Sequence, residues 1–107
     1  MSSDISIHVT HPDGYTSEFE VGNMTSNCNR MLIAACGVSM GWFDGVSCEK
    51  AMPILRHAWR NMKRNPDAYR LIQADNGWGT YDQFMPYLTR FYVMTRLHSG
   101  GVISNWY

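Results

Sequence analysis

The chain has 107 residues, 45% hydrophobic and only 17% charged, and its nine basic and nine acidic side chains cancel to a formal net charge of zero. That is apolar material for one packed core but not two, which excludes a disordered chain and points to one domain over residues 1–107. A zero net charge does not support general nucleic-acid binding, which wants net positive charge, although a local basic helix face could grip phosphates, and no apolar run approaches the roughly 18 residues of a membrane-spanning helix.

At the N-terminus Ile5, Ile7 and Val9 alternate with Ser6, His8 and Thr10, the period of a half-buried strand. His11–Pro12–Asp13–Gly14 is turn chemistry: Pro12 fixes φ, Asp13 bonds its own backbone and Gly14 takes positive φ. The return strand sets Tyr15, Ser17, Phe19 and Val21 on one face and completes a hairpin. Asn23, Thr25 and Ser26 are all N-cap types. Cys28, Met31, Leu32 and Ala35 then share one face of a helix that Gly37 ends. The spacing predicts a loop from Val38 to Gly45, with Trp42 and Phe43 at its tip.

Ser47 caps the clearest helix, whose buried stripe is Cys48, Ala51, Met52, Leu55, Ala58, Trp59 and Met62. Arg56, His57, Arg60, Lys63 and Arg64 line the other side. Asn65 and Pro66 start a short helix, which Asp75–Asn76–Gly77 stops. Thr80 and Gln83 have the spacing of a capping box for the next helix. Gly77 and Gly79 turn the chain between the two, and Trp78 is expected to plug this corner into the core, its large buried area anchoring the loop. The last helix buries Phe84, Tyr87, Leu88, Phe91 and Met94, ends near His98–Gly101, and is followed by a strand from Val102. Ser47–Leu55 and Thr80–Leu88 align at an offset of 33 residues, each running hydroxyl cap, acid, then Met-Pro-x-Leu. This predicts two similarly kinked helices. The fold class is α+β: an N-terminal hairpin and a C-terminal strand forming a small antiparallel sheet, packed against three main helices and one short one.

The zero net charge hides an asymmetry. Met1 to Glu49 carries six acids and one base, and the chain from Lys50 onward carries eight bases and three acids. Such a split predicts a polarised molecule, or halves that attract each other. With four Trp, six Tyr, four Phe and eight Met, residue types that favour contact surfaces, a partner protein or a homo-oligomer is the default expectation.

Chemistry-bearing motifs are sparse. The three cysteines include no C-x-x-C pair, and the first residues have neither a basic nor an apolar segment of a leader, so free thiols in a cytoplasm are expected. Cys28, Cys36 and Cys48, with His57 or His98, supply the residue types of a thiol enzyme. All three lie on or beside apolar stripes, however, where cysteine acts as a small hydrophobe. Histidines 8, 11, 57 and 98 are too scattered for zinc-ligand spacing, and no phosphate-cradling G-x-x-x-x-G-K motif is present; no metal, cofactor or catalytic residue is expected. The basic run, with Arg70 nearby, reads as a solvated face or as the partner of Glu18 and Glu20.

The order NMTSN, GVS…DG, NPDAY and NGWGTY, spanning Asn23 to about Leu88, resembles a group of small proteins encoded by bacteriophages and prophages, with NGWG-x-Y as the most specific element. The resemblance carries over no catalytic residue. It implies a phage-borne accessory protein in the host cytoplasm, of the kind that includes anti-CRISPR and other counter-defence inhibitors. The functional expectation is therefore a non-catalytic protein that binds a host protein complex. Trp42 and Phe43 would anchor the partner, and Arg56, Arg60, Lys63 and Arg64 would meet an acidic surface. Two alternatives stand beside it: a nucleotide or signal-molecule binder with a pocket at Trp78 and Tyr81, and a thiol-dependent enzyme.

Overall fold

A computed structural model describes residues 2–106. Strands β1 (Ser2–Thr10) and β2 (Thr16–Thr25) form the hairpin, and β3 (Val102–Trp106) pairs antiparallel with the other side of β1, giving the order β2-β1-β3. Helices α1 (Asn29–Cys36), α2 (Cys48–Arg64), α3 (Pro66–Ile72) and α4 (Tyr81–Leu97) lie between β2 and β3 in the chain. The architecture is the α+β arrangement that the alternation and helical stripes predict. The turn closes as its residues dictate: the Gly14 amide donates to the His11 carbonyl at 2.9 Å, and the Tyr15 amide to Asp13 Oδ1 at 3.0 Å.

Ile7 sits between Phe19 and Ile103 across the sheet, and Ile5, Ile7 and Ile103 are fully buried. The register slips between Ile5 and Ser6, where Ser6 opposes Glu20 but Ile5 opposes Gly22. Val21 is thus the extra residue of a β-bulge, and a bulge shifts the phase of everything after it. Phe19 and Val21 face the core before it; Met24 packs on the core after it. The strand therefore runs through Asn23, Met24 and Thr25, where the cap types predicted a loop before a helix. Thr25 caps the single 3-10 turn Ser26–Cys28 that leads into α1.

The opposite face of the sheet is mixed. By register, Asp4, Ser6 and His8 share it with Glu18, Glu20, Asn23 and Ser104 and with the exposed Val102 and Trp106. His8 Nε2 lies 2.9 Å from Ser104 Oγ and 4.0 Å from Glu18.

Helix α4 lies against the hairpin. The Tyr87 hydroxyl donates to the Gly22 carbonyl at 3.0 Å and Arg90 Nη1 to the Val21 carbonyl at 3.3 Å, so α4 satisfies the carbonyls that the bulge exposes. Helix α2 packs on α4, and α1 on α2. Phe43, Phe84, Phe91, Leu55, Leu88, Met31 and Met62 fill the centre.

Two expectations need correction here. Residues 38–45 do not project. Met40–Phe43 forms a 3-10 turn, the Gly45 amide donates to the Ile103 carbonyl at 2.8 Å, and the Ile103 amide donates to the Val46 carbonyl at 2.9 Å. The segment thus covers the free edge of β3, which an exposed strand requires. In doing so it drives Phe43 into the core, edge-on to Phe91 at 5.2 Å, with no exposed surface. Trp42 is half-buried beside it, under Lys50. Phe43 is a core residue and not a contact residue. Met52, Trp59 and Met94, expected in the buried stripes, are also only half-buried.

Helices α2 and α4 match as the offset of 33 predicts. Each has 17 residues, an N-cap hydroxyl accepting from the third helical amide, and proline at the sixth position. Both prolines are exposed, where a missing amide costs least.

Candidate functional site

Two surface features gather chemistry-bearing side chains. The first is the outer seam between α2 and α4. Arg56 Nε donates to the Tyr92 hydroxyl at 3.2 Å, and Trp59 Nε1 donates to Thr89 Oγ1 at 3.0 Å. The Trp59 and Tyr92 rings lie 5.7 Å apart, and the Lys63 ammonium sits 4.5 Å over the Trp59 ring, a cation–π distance. A higher position on α2 meets a lower one on α4, so the helices run antiparallel. Under the offset of 33, Arg56 and Trp59 correspond to Thr89 and Tyr92. The two hydrogen bonds therefore exchange with each other, and the seam has a local two-fold character.

Thr89 and Tyr92 leave α4 on the side away from Tyr87 and Arg90, which reach β2. The seam thus points away from the sheet and from its outer face. This is why the expected pairing of the basic run with Glu18 and Glu20 does not form: the helical layer stands between them. Among the described residues, Arg70 pairs with Asp67 and Asp82, and the His8 ring nitrogen lies 4.0 Å from Glu18. Arg70 also stacks over Tyr81 at 4.7 Å, so it joins α3 to α4 and does not extend the basic face. Arg96 takes its place. Tyr92's hydroxyl is held below the ordinary tyrosine range by the Arg56 hydrogen bond first, then by the charges of Arg56, Arg96 and Arg60. Sequence reasoning missed Arg96, although it stands at the offset position of Lys63.

The second feature is the corner 76–80, and here the expectation for Trp78 is overturned. Its side chain is not a plug: 69% of the residue is exposed. The corner is held by other groups. Gln83 Oε1 accepts from the amides of Gly79 at 2.7 Å and Thr80 at 3.1 Å, and Thr80 completes the capping box. Asn76 Oδ1 accepts from the Trp78 amide at 3.0 Å, and Asn27 Nδ2 donates to the Trp78 carbonyl at 3.3 Å. Gly79 has φ +73, and a Cβ there would lie 2.7 Å from Thr25 Cγ2 and 2.9 Å from Cys28 Sγ. Glycine is needed at this close approach. With the backbone fixed from both sides, the indole is left facing solvent.

Trp78 stands over an open cleft of ≈ 860 Å³ lined by Ser2, Asn23, Met24, Thr25, Gly77, Gly79 and Gln83. The NMTSN and NGWG motifs, distant in sequence, meet here. Tyr81, expected in the same pocket, is buried instead, and its hydroxyl donates to the Met62 carbonyl at 2.9 Å. Chain reversal at Thr80 turns it inward as the first residue of α4.

The thiols are placed against nucleophilic chemistry. Burial pushes Cys28 up to about 12 and raises Cys36 and Cys48 above the ordinary thiol value, whereas a nucleophile needs its pKa lowered. Cys28 Sγ faces the Gly79 carbonyl at 3.7 Å and Cys36 Sγ the Leu32 carbonyl at 3.3 Å. Among the described residues, no group of three His, Cys, Asp or Glu side chains converges to hold a metal, and no helix is long and apolar enough to cross a membrane. No family model, no curated protein and no solved structure matches the chain.

Proposed function

We propose that this is a non-catalytic interaction protein that docks the α2/α4 seam on an acidic surface of a partner protein. One observation carries the reading: the half-buried Arg56, Trp59 and Thr89 are tied to one another through the buried Tyr92 and across the helices, and the exposed cations around them, Arg60, Lys63, Arg64 and Arg96, have no carboxylate partner among the described residues. Aromatic and arginine side chains held in fixed rotamers make strong contacts because little freedom is lost on binding. Unpaired like charges steer an acidic partner and raise its association rate. Trp42 and Lys50 lie on the same helix–turn unit, but Phe43 has no part in recognition. The resemblance to phage proteins supplies the context, a host protein complex in the cytoplasm, with counter-defence as the biological role.

The test is capture of a host complex by the immobilised protein, then reconstitution with the purified partner. Arg60→Glu/Arg64→Glu, at two exposed positions, should slow association at least tenfold and flatten its salt dependence while leaving the fold intact. Equal binding by wild type and variant excludes the seam as the contact surface.

A further inference from the structure

The Trp78 cleft has a chemistry of its own, independent of the seam. Its indole is exposed, yet its loop is not loose: the backbone is bonded on both sides by Asn76 and Asn27, and the next residue is wedged against Thr25 and Cys28. The backbone that carries the ring has already lost the freedom that binding would otherwise remove from the loop. Around it stand Asn23, Gln83, Ser2, Thr25 and Met24, with Asn23 Nδ2 already given to Ser2 Oγ and Asp4 Oδ1. Among the described residues, Gln83 Nε2 and Trp78 Nε1 have donors to spare, because the Gln83 bonds use only its oxygen.

Among the described residues, no lysine, arginine or histidine lines the cleft. The charges nearest its Asn23 wall are of opposite sign: Asp4, accepting from Asn23 Nδ2 at 2.7 Å, and Arg90, donating to the Val21 carbonyl at 3.3 Å. No cationic side chain of the described residues converges on the cleft, which disfavours a nucleotide, a phosphate or a carboxylate, since these are bound by cations or converging charge-assisted donors. An exposed indole face flanked by neutral amides and hydroxyls suits an uncharged ring with C–H faces and hydroxyl edges: the faces stack on the indole and the edges exchange hydrogen bonds with the amides. We infer that the Trp78 cleft binds a neutral sugar.

The experiment screens the full-length chain on an array of neutral oligosaccharides, and follows the strongest binder by amide and indole NMR titration. ATP, glucose 6-phosphate and inorganic phosphate serve as charged comparators. The expected result is saturable binding of a neutral oligosaccharide, with shifts centred on the Trp78 indole and the Gln83 side-chain amide. Trp78→Ala should weaken it at least tenfold, and Arg60→Glu/Arg64→Glu should leave it unchanged. Retention of no neutral glycan, tighter binding of a phosphate-bearing comparator, or full affinity in Trp78→Ala would each overturn the inference. Because the two sets of variants lie on separate surfaces, failure here leaves the partner-docking reading standing, and the reverse.

Discussion

Replacing Gly79 by alanine isolates what holds the corner together. The new Cβ meets Thr25 Cγ2 at 2.7 Å and Cys28 Sγ at 2.9 Å, on a backbone with φ +73. The left-handed conformation costs an L-residue about 1–2 kcal/mol, and overpacking a filled site costs about 1–3 kcal/mol. The reduced freedom of the unfolded chain returns about 0.4–1 kcal/mol. The net loss is about 1–4.5 kcal/mol, a large share of the roughly 5–15 kcal/mol that a domain possesses. For a chain of this size that lowers Tm by roughly 4–20 °C. Gly77→Ala has similar φ, +79, but nothing within 4 Å of its Cβ, so only the conformational cost of about 1–2 kcal/mol applies. Trp78→Ala should change stability by less than about 0.5 kcal/mol, as exposed substitutions do, whereas a buried tryptophan would lose about 3–5 kcal/mol. Urea unfolding, comparing midpoints at constant m, reads all three. An unchanged midpoint in Gly79→Ala combined with a large loss in Trp78→Ala would show that the indole, and not the glycine, holds the corner.

Alkaline pH should destabilise the protein from about pH 9. Cys28 ionises near 9.0 when unfolded but near about 12 when folded, so the stability tied to its protonated form is complete below the first value and drains as pH rises toward the second. Tyr87, raised by the same burial, adds to the loss above 10, while Tyr92, lowered by Arg56, opposes it. In Cys28→Ala the fall in Tm should be shallower in a pH series, the remainder coming from Cys36 and Cys48, which burial also raises; an identical profile contradicts the assignment. Thr95→Val should be neutral or stabilising by about 1 kcal/mol, because the buried Thr95 hydroxyl has no partner among the described residues and an unsatisfied buried group costs about 1–3 kcal/mol; a loss in denaturant midpoint would show that the hydroxyl is bonded. Thr80→Ala should cost about 1 kcal/mol through the lost N-cap, and an unchanged midpoint would contradict the capping box.

What the sequence made legible was local. The alternation of Ile5, Ile7 and Val9, the chemistry of His11–Gly14, the hydroxyl caps Ser47 and Thr80, and the repeated Met-Pro helices each depend on neighbours within a few residues, and each forms as expected. The errors arose where distant segments decide. Phe43 reads as a loop tip until the pairing of residues 45–46 with Ile103 pulls it inward. Trp78 reads as a plug because a tryptophan between glycines looks like a buried anchor, yet the contact that locks the corner is Gly79 against Thr25 and Cys28. The bulge at Val21 leaves no periodic signal, so β2 extends past its predicted end. On the α2/α4 seam, Arg56, Arg60, Lys63 and Arg64 were legible as one helical face. The contribution of Trp59, Tyr92 and Arg96 was not, because it comes from packing a second helix against the first.

Sugar binding at the cleft requires Trp78 to be a free, presented side chain on a fixed loop, and indole NMR of the unliganded protein tests this most directly. Trp59, donating to Thr89 Oγ1, should show a slowly exchanging Nε1 proton. The Trp78 Nε1 proton should exchange rapidly and broaden with a soluble paramagnetic agent, while the backbone amide of Gly79, bonded to Gln83, stays protected. A protected Trp78 indole proton, or a Gly79 amide that exchanges as fast as an open loop, would contradict it.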